Sequence, residues 1–226
     1  MANETSFDLI VIGGGPGGYV AAIRAAQLKM KVALVEAEHL GGICLNWGCI
    51  PTKALLRAAE MRHSIDEMKS FGITVTGEVS IDLPAVVKRS RAVAGRLSTG
   101  VQHLLKKNKV TVFDDHASLG AKRGDQREIK LASGGTLTAR NVILATGARA
   151  RSLPGIEPDG TSILTYREAM VPKTMPKSLV IIGSGAIGSE FASFYLDMGV
   201  EVTLVEAMDR IPVSYTHLTL PTSTHG

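Results

Sequence analysis

An α/β protein built on two parallel β–α–β units is predicted by three features of the 226-residue sequence. The first is an internal repeat. DLIVIGGGPGGYVAAIRAAQLKMKVALVEA at residues 8–37 returns without a gap as SLVIIGSGAIGSEFASFYLDMGVEVTLVEA at residues 178–207. The second is the character of the strands, which are continuous apolar runs and not alternating ones, as in strands covered on both faces. The third is a G-x-G-x-x-G turn lodged in both copies between the first strand and a helix of small residues.

The elements follow in order. Residues 9–12 and 179–182 are the opening strands, and each runs into its glycine turn: Gly13, Gly15 and Gly18 in the first copy, Gly183, Gly185 and Gly188 in the second. In such a turn the first glycine allows the tight bend, the second lets backbone approach a pyrophosphate, and the third lets helix and strand pack closely. The helix that follows offers free N–H groups and a partial positive charge to phosphate. A second strand (residues 32–35 and 202–205) ends in Glu36 or Glu206, 23 residues after the first glycine, close to the ~20 expected of an acid that binds ribose hydroxyls. Two glycine turns that bind nothing are the plainer alternative. The complete strand, turn, helix, strand and acid, found twice, favours two Rossmann-type dinucleotide sites. Two such sites in one chain imply electrons passing between cofactors. Glu206 would repel a 2′-phosphate, so the second site is expected to prefer NAD to NADP.

Between the repeats, residues 41–53 read GGICLNWGCIPTK and hold both cysteines of the chain, Cys44 and Cys49. Five residues of regular helix rise ~7.5 Å, beyond the ~4.4–6.8 Å that a disulfide spans. The pair can bridge only if Cys44 lies in a distorted first turn or ahead of the helix, and Gly41, Gly42, Gly48 and Pro51 supply that irregularity. Beyond Pro51 the sequence is amphipathic and helical, which sets Cys49 near a helix N-terminus, where a thiolate is stabilised. Lys53 brings a cation one turn on. A redox pair and two inert cysteines beside a surface lysine both stay open on these grounds. A metal site is disfavoured, because no second cysteine or histidine pair has ligand spacing.

Residues 84–108 read as a helix with an apolar stripe, and residues 110–113, 128–131 and 135–145 as strands that complete the first domain's sheet. Lys106, Lys107 and Lys109 read as a solvated helix end. His39, His63, His103 and His116 are isolated and are read as surface or packing residues. Trp47 fits equally a cofactor pocket lining or ordinary packing.

Composition bounds the function. A net charge of +4 with 4% aromatic residues lacks the basic, aromatic-lined stripe of a nucleic-acid binder. No run approaches the ~18–20 apolar residues of a membrane span. Residues 1–13 read as a strand entering glycines, with no basic leader. Two cysteines without a secretion signal argue against a disulfide scaffold and for the cytoplasm, or an organelle matrix.

GGICLNWGCIPTK resembles the redox-disulfide motif of the class I pyridine nucleotide–disulfide oxidoreductases. ATGARARSLPGI (residues 145–156) is similar to their second flavin-contacting segment, and residues 183–211 resemble the NAD half of the dihydrolipoamide dehydrogenases in particular. The resemblance implies FAD in the first Rossmann unit (residues 1–150) and NAD in the second (residues 151–211), which would be incomplete. It implies that Glu36 binds the adenosine ribose, that Lys53 sits by the flavin, and that backbone at Ala117, Thr146 and Gly147 closes over FAD. Cys49 would face the flavin, Cys44 would exchange with a dithiol substrate, and Glu190 would approach the nicotinamide and pair with Lys53. Electron pairs would run from dihydrolipoamide through Cys44–Cys49 and FAD to NAD. Implied partners are a second copy of the full-length protein and the lipoyl domains of 2-oxo-acid dehydrogenase or glycine cleavage complexes, with no nucleic acid and no membrane. A sibling reductase for glutathione, trypanothione or mercuric ion, or a non-catalytic flavin-binding fragment, are the alternatives. Residues 212–226 depart from the family, and neither His217 nor His225 reproduces its histidine–glutamate acid–base pair. The tail is therefore expected to be an unstructured foreign or misread junction on a truncated chain, which alone would show weak or no turnover.

Overall fold

The computed structural model describes residues 5–209. The expected non-family tail lies outside the described residues. In chain order the elements are β1 (Ser6–Ile12), α1 (Pro16–Gln27), β2 (Val32–Glu36), α2 (Gly42–Trp47), α3 (Cys49–Glu67), α4 (Leu83–Lys107), β3 (Thr111–Asp114), β4 (Ala117–Arg123), β5 (Gln126–Leu131), β6 (Thr136–Leu144), α5 (Tyr166–Met170), β7 (Ser178–Ile182), α6 (Ala186–Asp197) and β8 (Glu201–Val205). A single 3₁₀ turn, Met68–Phe71, follows α3. Two compact units result. One comprises the chain up to Pro51 with Arg91–Ser152; the other comprises Thr52–Ser90 with the chain from Leu153.

The first unit holds a six-stranded sheet in the order β3-β2-β1-β6-β5-β4. β1 lies parallel to β2 (Leu9 opposite Val32) and to β6 (Ile12 opposite Leu144), and β2 lies parallel to β3. β6 is long enough for two partnerships, since its first residues also pair antiparallel with β5. The continuous apolar run of β1 is explained by burial on both faces. Leu9 and Val11 join Ala22 and Ala25 of α1 and Val101 and Leu105 of α4. Phe7, Ile10 and Ile12 turn the other way, to Ile129, Leu137 and Ala139. From Leu9 to Ile12 this is the period-2 alternation of a strand with two cores to fill, whereas Phe7 joins the second core out of that phase. Within this unit, α4 ends with Lys106 and Lys107 exposed in its last turn and Lys109 in the left-handed region (φ 58°), as expected of a solvated helix end.

Strand β4 is absent from the expectations drawn from the sequence, and its physical character explains why. It is an edge strand with no fully buried residue, paired only with β5, and its register shifts between Leu119 and Lys122. A strand that buries no face carries no apolar period to read, and its exposed lysine and arginine are what edge strands tolerate.

In the second unit β7 and β8 form a parallel pair, in register from Ser178–Glu201 to Ile182–Val205. α6 connects them and buries Phe191, Phe194 and Tyr195, with Met198 and Val200 following. Phe194 meets Tyr195 edge-on at 5.0 Å, the geometry aromatic quadrupoles favour. The Tyr195 hydroxyl donates to the Ala169 carbonyl at 2.7 Å, and burial pushes its pKa up to about 12. α5, which carries that carbonyl, begins in a capping box: Thr165 Oγ1 accepts from the Arg167 N–H while Glu168 accepts from the Thr165 N–H.

Candidate functional site

The first glycine turn sits at the C-terminal end of β1. Gly13 adopts φ 104°, and a Cβ built there would stand 2.1 Å from the Ala145 carbonyl oxygen. A Cβ on Gly18 would stand 1.8 Å from the Gly13 carbonyl oxygen, so α1 can leave the strand this closely only with glycine at both positions. Gly15 differs. It has φ −70°, and its built Cβ meets nothing nearer than Gly42 Cα at 3.8 Å. The fold alone would accept a side chain at Gly15, and the space a methyl would fill opens at the uncapped start of α1, with Pro16 in its first turn. A cradle of this kind fits a pyrophosphate approaching backbone N–H groups.

Around this turn the strand ends gather the other predicted residues. Glu36 ends β2: its Oε2 accepts from the Gly14 N–H at 2.6 Å and its Oε1 from the Glu38 N–H at 2.7 Å. An ionised carboxylate has about four acceptor positions, so two stay available for ribose hydroxyls. The Glu36 carbonyl takes the Asp115 N–H at 2.9 Å, which brings Ala117, the first residue of β4, to the same edge. On the other side the Ala145 N–H donates to the Ile12 carbonyl at 2.8 Å, followed by exposed Thr146 and Gly147, the latter with φ 71°.

The cysteines are joined as a Cys44–Cys49 disulfide with their Cα atoms 4.7 Å apart. The sequence required a break in the helix, and the structure has one: Gly48, at φ −145° and ψ −119°, separates α2 from α3, so that Cys49 opens the second helix. Cys44 is half-buried and Cys49 exposed. The loop is seated directly on the glycine turn. The Gly41 N–H donates to the Gly14 carbonyl at 2.8 Å, and a Cβ on Gly42 (φ 58°) would lie 2.6 Å from Gly15 Cα.

α2 is held from behind by residues that sequence reading missed. Asn46 Nδ2 donates to the Leu40 and Gly42 carbonyls at 3.0 and 2.9 Å, and Ser98 Oγ donates to Asn46 Oδ1 at 2.9 Å. Arg91 donates to the Asn46 carbonyl and lays its guanidinium 4.2 Å from the Trp47 ring centroid. Of the two readings of Trp47, this cation–π contact supports packing. Burial lowers the Arg91 pKa.

The second turn repeats the first. Gly183 has φ 99°, and a Cβ on Gly188 would stand 1.9 Å from the Gly183 carbonyl oxygen. Gly185 is the N-cap of α6. The Gly183 N–H donates to Val205 at 2.8 Å, as the Gly13 N–H donates to Val35 at 2.8 Å. Glu206 takes more donors than Glu36: the Ser184 N–H and hydroxyl on Oε2 at 2.8 and 2.7 Å, and the Ala207 and Met208 N–H groups on Oε1 at 2.7 and 2.9 Å. Those bonds, the Ser184 N–H first, hold its pKa at about 2, so the carboxylate is ionised at neutral pH. Within the second unit Lys53 Nζ is ion-paired with Glu190 of α6. His63, read from the sequence as isolated, reaches Glu67 at 3.3 Å and Asp197 at 3.5 Å. His39, His103 and His116 are exposed. Among the described residues no group of three or more metal-ligating side chains is placed to hold a metal ion, and no helix is long and apolar enough to cross a membrane.

Comparison with known proteins agrees with this geometry. The family described as pyridine nucleotide-disulphide oxidoreductase matches residues 7–217. Dihydrolipoyl dehydrogenase from Rhizobium etli is 54% identical over 232 residues, covering 95% of this chain and 48% of the relative. The enzyme of the same name from Zymomonas mobilis is 55% identical over 208 residues, covering 91% and 44%. The crystal structure of LpdA from Mycobacterium tuberculosis superposes with a TM-score of 0.80 at 29% identity, covering 91% of this chain and 45% of that one. The chain thus spans about half the length of the curated relatives it matches. The chain belongs to the pyridine nucleotide-disulphide oxidoreductase family.

Proposed function

We propose that this chain is the FAD-binding and initial NAD-binding part of a dihydrolipoamide dehydrogenase, in which the Cys44–Cys49 disulfide accepts an electron pair from a protein-bound dithiol. The observation that carries the reading is the seat of the disulfide loop on the first glycine turn, through Gly41 and Gly14 and the packing of Gly42 on Gly15. Residues 1–150 would form the FAD domain and residues 151–211 the first part of the NAD domain.

The residues fit both groups. Gly13, Gly15, Gly18 and the start of α1 would hold the pyrophosphate of FAD, Glu36 its ribose, and backbone at Ala117, Thr146 and Gly147 its outer face. Gly183, Gly185 and Gly188 would hold the pyrophosphate of NAD. Glu206, whose acceptor positions are filled by Ser184, Ala207 and Met208, would exchange one of those donors for a ribose hydroxyl. A bound flavin supplies two-electron exchange between a dithiol and nicotinamide. The protein's own chemistry is thiol–disulfide exchange. A substrate thiolate attacks Cys44, releasing Cys49 as thiolate. The second substrate thiol then attacks the mixed disulfide at the substrate sulfur, so that the substrate leaves oxidised and the cysteines hold its two electrons. Cys49, as the first residue of α3, is released where the helix N-terminus and Lys53 four residues on favour negative charge. Glu190, paired with Lys53, would tune that charge and approach the nicotinamide.

The ionised Glu206 supports NAD over NADP, which weighs against NADP-linked sibling reductases. The whole protein would act as a homodimer on lipoyl domains of 2-oxo-acid dehydrogenase or glycine cleavage complexes, in the cytoplasm or an organelle matrix. Anaerobic reduction of the complete protein, followed by visible spectroscopy, tests the reading. A long-wavelength thiolate–flavin charge-transfer band and a gain of two titratable thiols are expected. Flavin reduction with neither would leave a non-catalytic flavin-binding module.

A further inference from the structure

Two exposed side chains outside the predicted site meet across it. Glu38 lies two residues beyond the end of β2, and Arg149 lies five residues beyond the end of β6. Arg149 Nη2 donates to Glu38 Oε1 at 2.5 Å, with 68% and 38% of their side-chain surfaces exposed. Neither belongs to a core cluster, and exposed ion pairs contribute little to stability. Their place in the topology is the informative part. The sheet order sets β1 between β2 and β6, so the ends of the two flanking strands are about 9.5 Å apart at the usual strand spacing. From β1 the chain crosses to β2 on one side, while β6 lies on the other. That makes the end of β1 a topological switch point, where ligands of open α/β sheets bind. The Glu38–Arg149 bridge spans this crevice from one bank to the other.

The anchoring of each arm points to which end of a ligand lies beneath. The Glu38 N–H is held by Oε1 of Glu36, the proposed ribose acceptor, and Arg149 follows the left-handed turn at Gly147. The bridge is therefore tied at one end to the adenosine side of the site. Its charges matter as well: Arg149 favours a nearby pyrophosphate, whereas Glu38 unpaired would repel one.

We propose that Glu38 and Arg149 form a salt-sensitive clasp over the adenosine half of a dinucleotide bound at the first glycine turn, opening for entry and slowing release when closed. This rests on the assignment of that turn to FAD, and the experiment separates the two. The complete protein is loaded with FAD, and release is followed by rapid desalting and flavin absorbance for wild type, Arg149→Ala, Glu38→Ala, the double alanine variant, and the charge-swapped Glu38→Arg/Arg149→Glu. Arg149→Ala is expected to release FAD about two- to fivefold faster, the range open to an exposed ion pair. Glu38→Ala should be affected less, the double variant no more than Arg149→Ala, and the swapped pair should return to within about twofold of wild type. Raising salt from about 0.01 M to about 1 M, which shortens the Debye length from ~30 Å to ~3 Å, should accelerate release from wild type and not from the double alanine variant. Wild-type release rates in Arg149→Ala, or additive single effects, would overturn the clasp and leave the FAD assignment standing. Failure of the complete wild-type protein to retain FAD at all would overturn the assignment beneath it.

Discussion

Alanine at Gly15 and at Gly42 should damage the protein in opposite ways, although Gly42 Cα is the nearest atom to a Cβ built on Gly15. Gly42 has φ 58°, and a methyl there would stand 2.6 Å from Gly15 Cα. A non-glycine residue in the left-handed region costs roughly 1–2 kcal/mol, and overpacking against backbone adds about 1–3 kcal/mol. Gly42→Ala should therefore lose ~2–5 kcal/mol of stability. Gly15 has an unstrained φ of −70° and 3.8 Å of clearance. Its replacement exchanges a modest loss of N-cap quality, ~1 kcal/mol, for a gain of ~0.4–1 kcal/mol from a less flexible unfolded chain, and stability should hardly move. A methyl at Gly15 would, however, take the place of a phosphate approaching backbone N–H groups. Losing one charge-assisted hydrogen bond at ~1.5–3 kcal/mol weakens FAD roughly ten- to hundredfold. Urea unfolding and flavin titration of each variant supply the two readouts. Gly15→Ala that folds normally and binds FAD like wild type would refute the claim that this turn is the phosphate cradle.

Three further outcomes are expected. Replacing Cys44 or Cys49 by serine should leave one free thiol under oxidising conditions, where wild type shows none, and should abolish dithiol oxidation by the complete protein; thiol titration and NADH formation measure the two effects. Glu206 has its pKa depressed from 4.5 to about 2, so its stabilising hydrogen bonds are fully present above pH 4.5 and are lost as pH falls through about 2. Acid titrations of wild type and Glu206→Gln should accordingly differ at neutral pH and converge below about 2. Leu105, fully buried between α4 and the sheet, should cost about 2–5 kcal/mol when cut to alanine, read as a lower urea midpoint with an unchanged slope.

The parts of the fold legible in the sequence were those whose causes are local. Apolar runs announced β1, β2, β7 and β8, but burial on both faces accounts only for β1 and β2. β7 and β8 alternate exposed with half-buried residues, leaving Val180, Ile182 and Val205 exposed. Gly13 and Gly18 announced the turn, because no other residue tolerates their contacts. Gly48 likewise signalled the helix break that a bridged Cys44 and Cys49 need. What escaped was either faceless or remote. β4 buries no face. Arg91 and Ser98 brace α2 from some fifty residues away, and a guanidinium in a helix carries no mark of the carbonyl it will find. His63 looked solitary because Asp197, its partner, belongs to another helix. The repeat also concealed a difference. Gly14 and Ser184 occupy the same place in the two turns, but only Ser184 adds a hydroxyl to the carboxylate beneath it.

The hydrogen bond from Gly41 to Gly14 makes the disulfide loop and the glycine turn one mechanical piece, and thermodynamic reciprocity then binds their equilibria. Any nucleotide that grips the turn tenfold more tightly in one oxidation state of the cysteines must move their midpoint potential by ~30 mV, and reduction must alter the grip by the same factor. Occupancy of the turn is then a dial on how readily the sulfurs take up electrons.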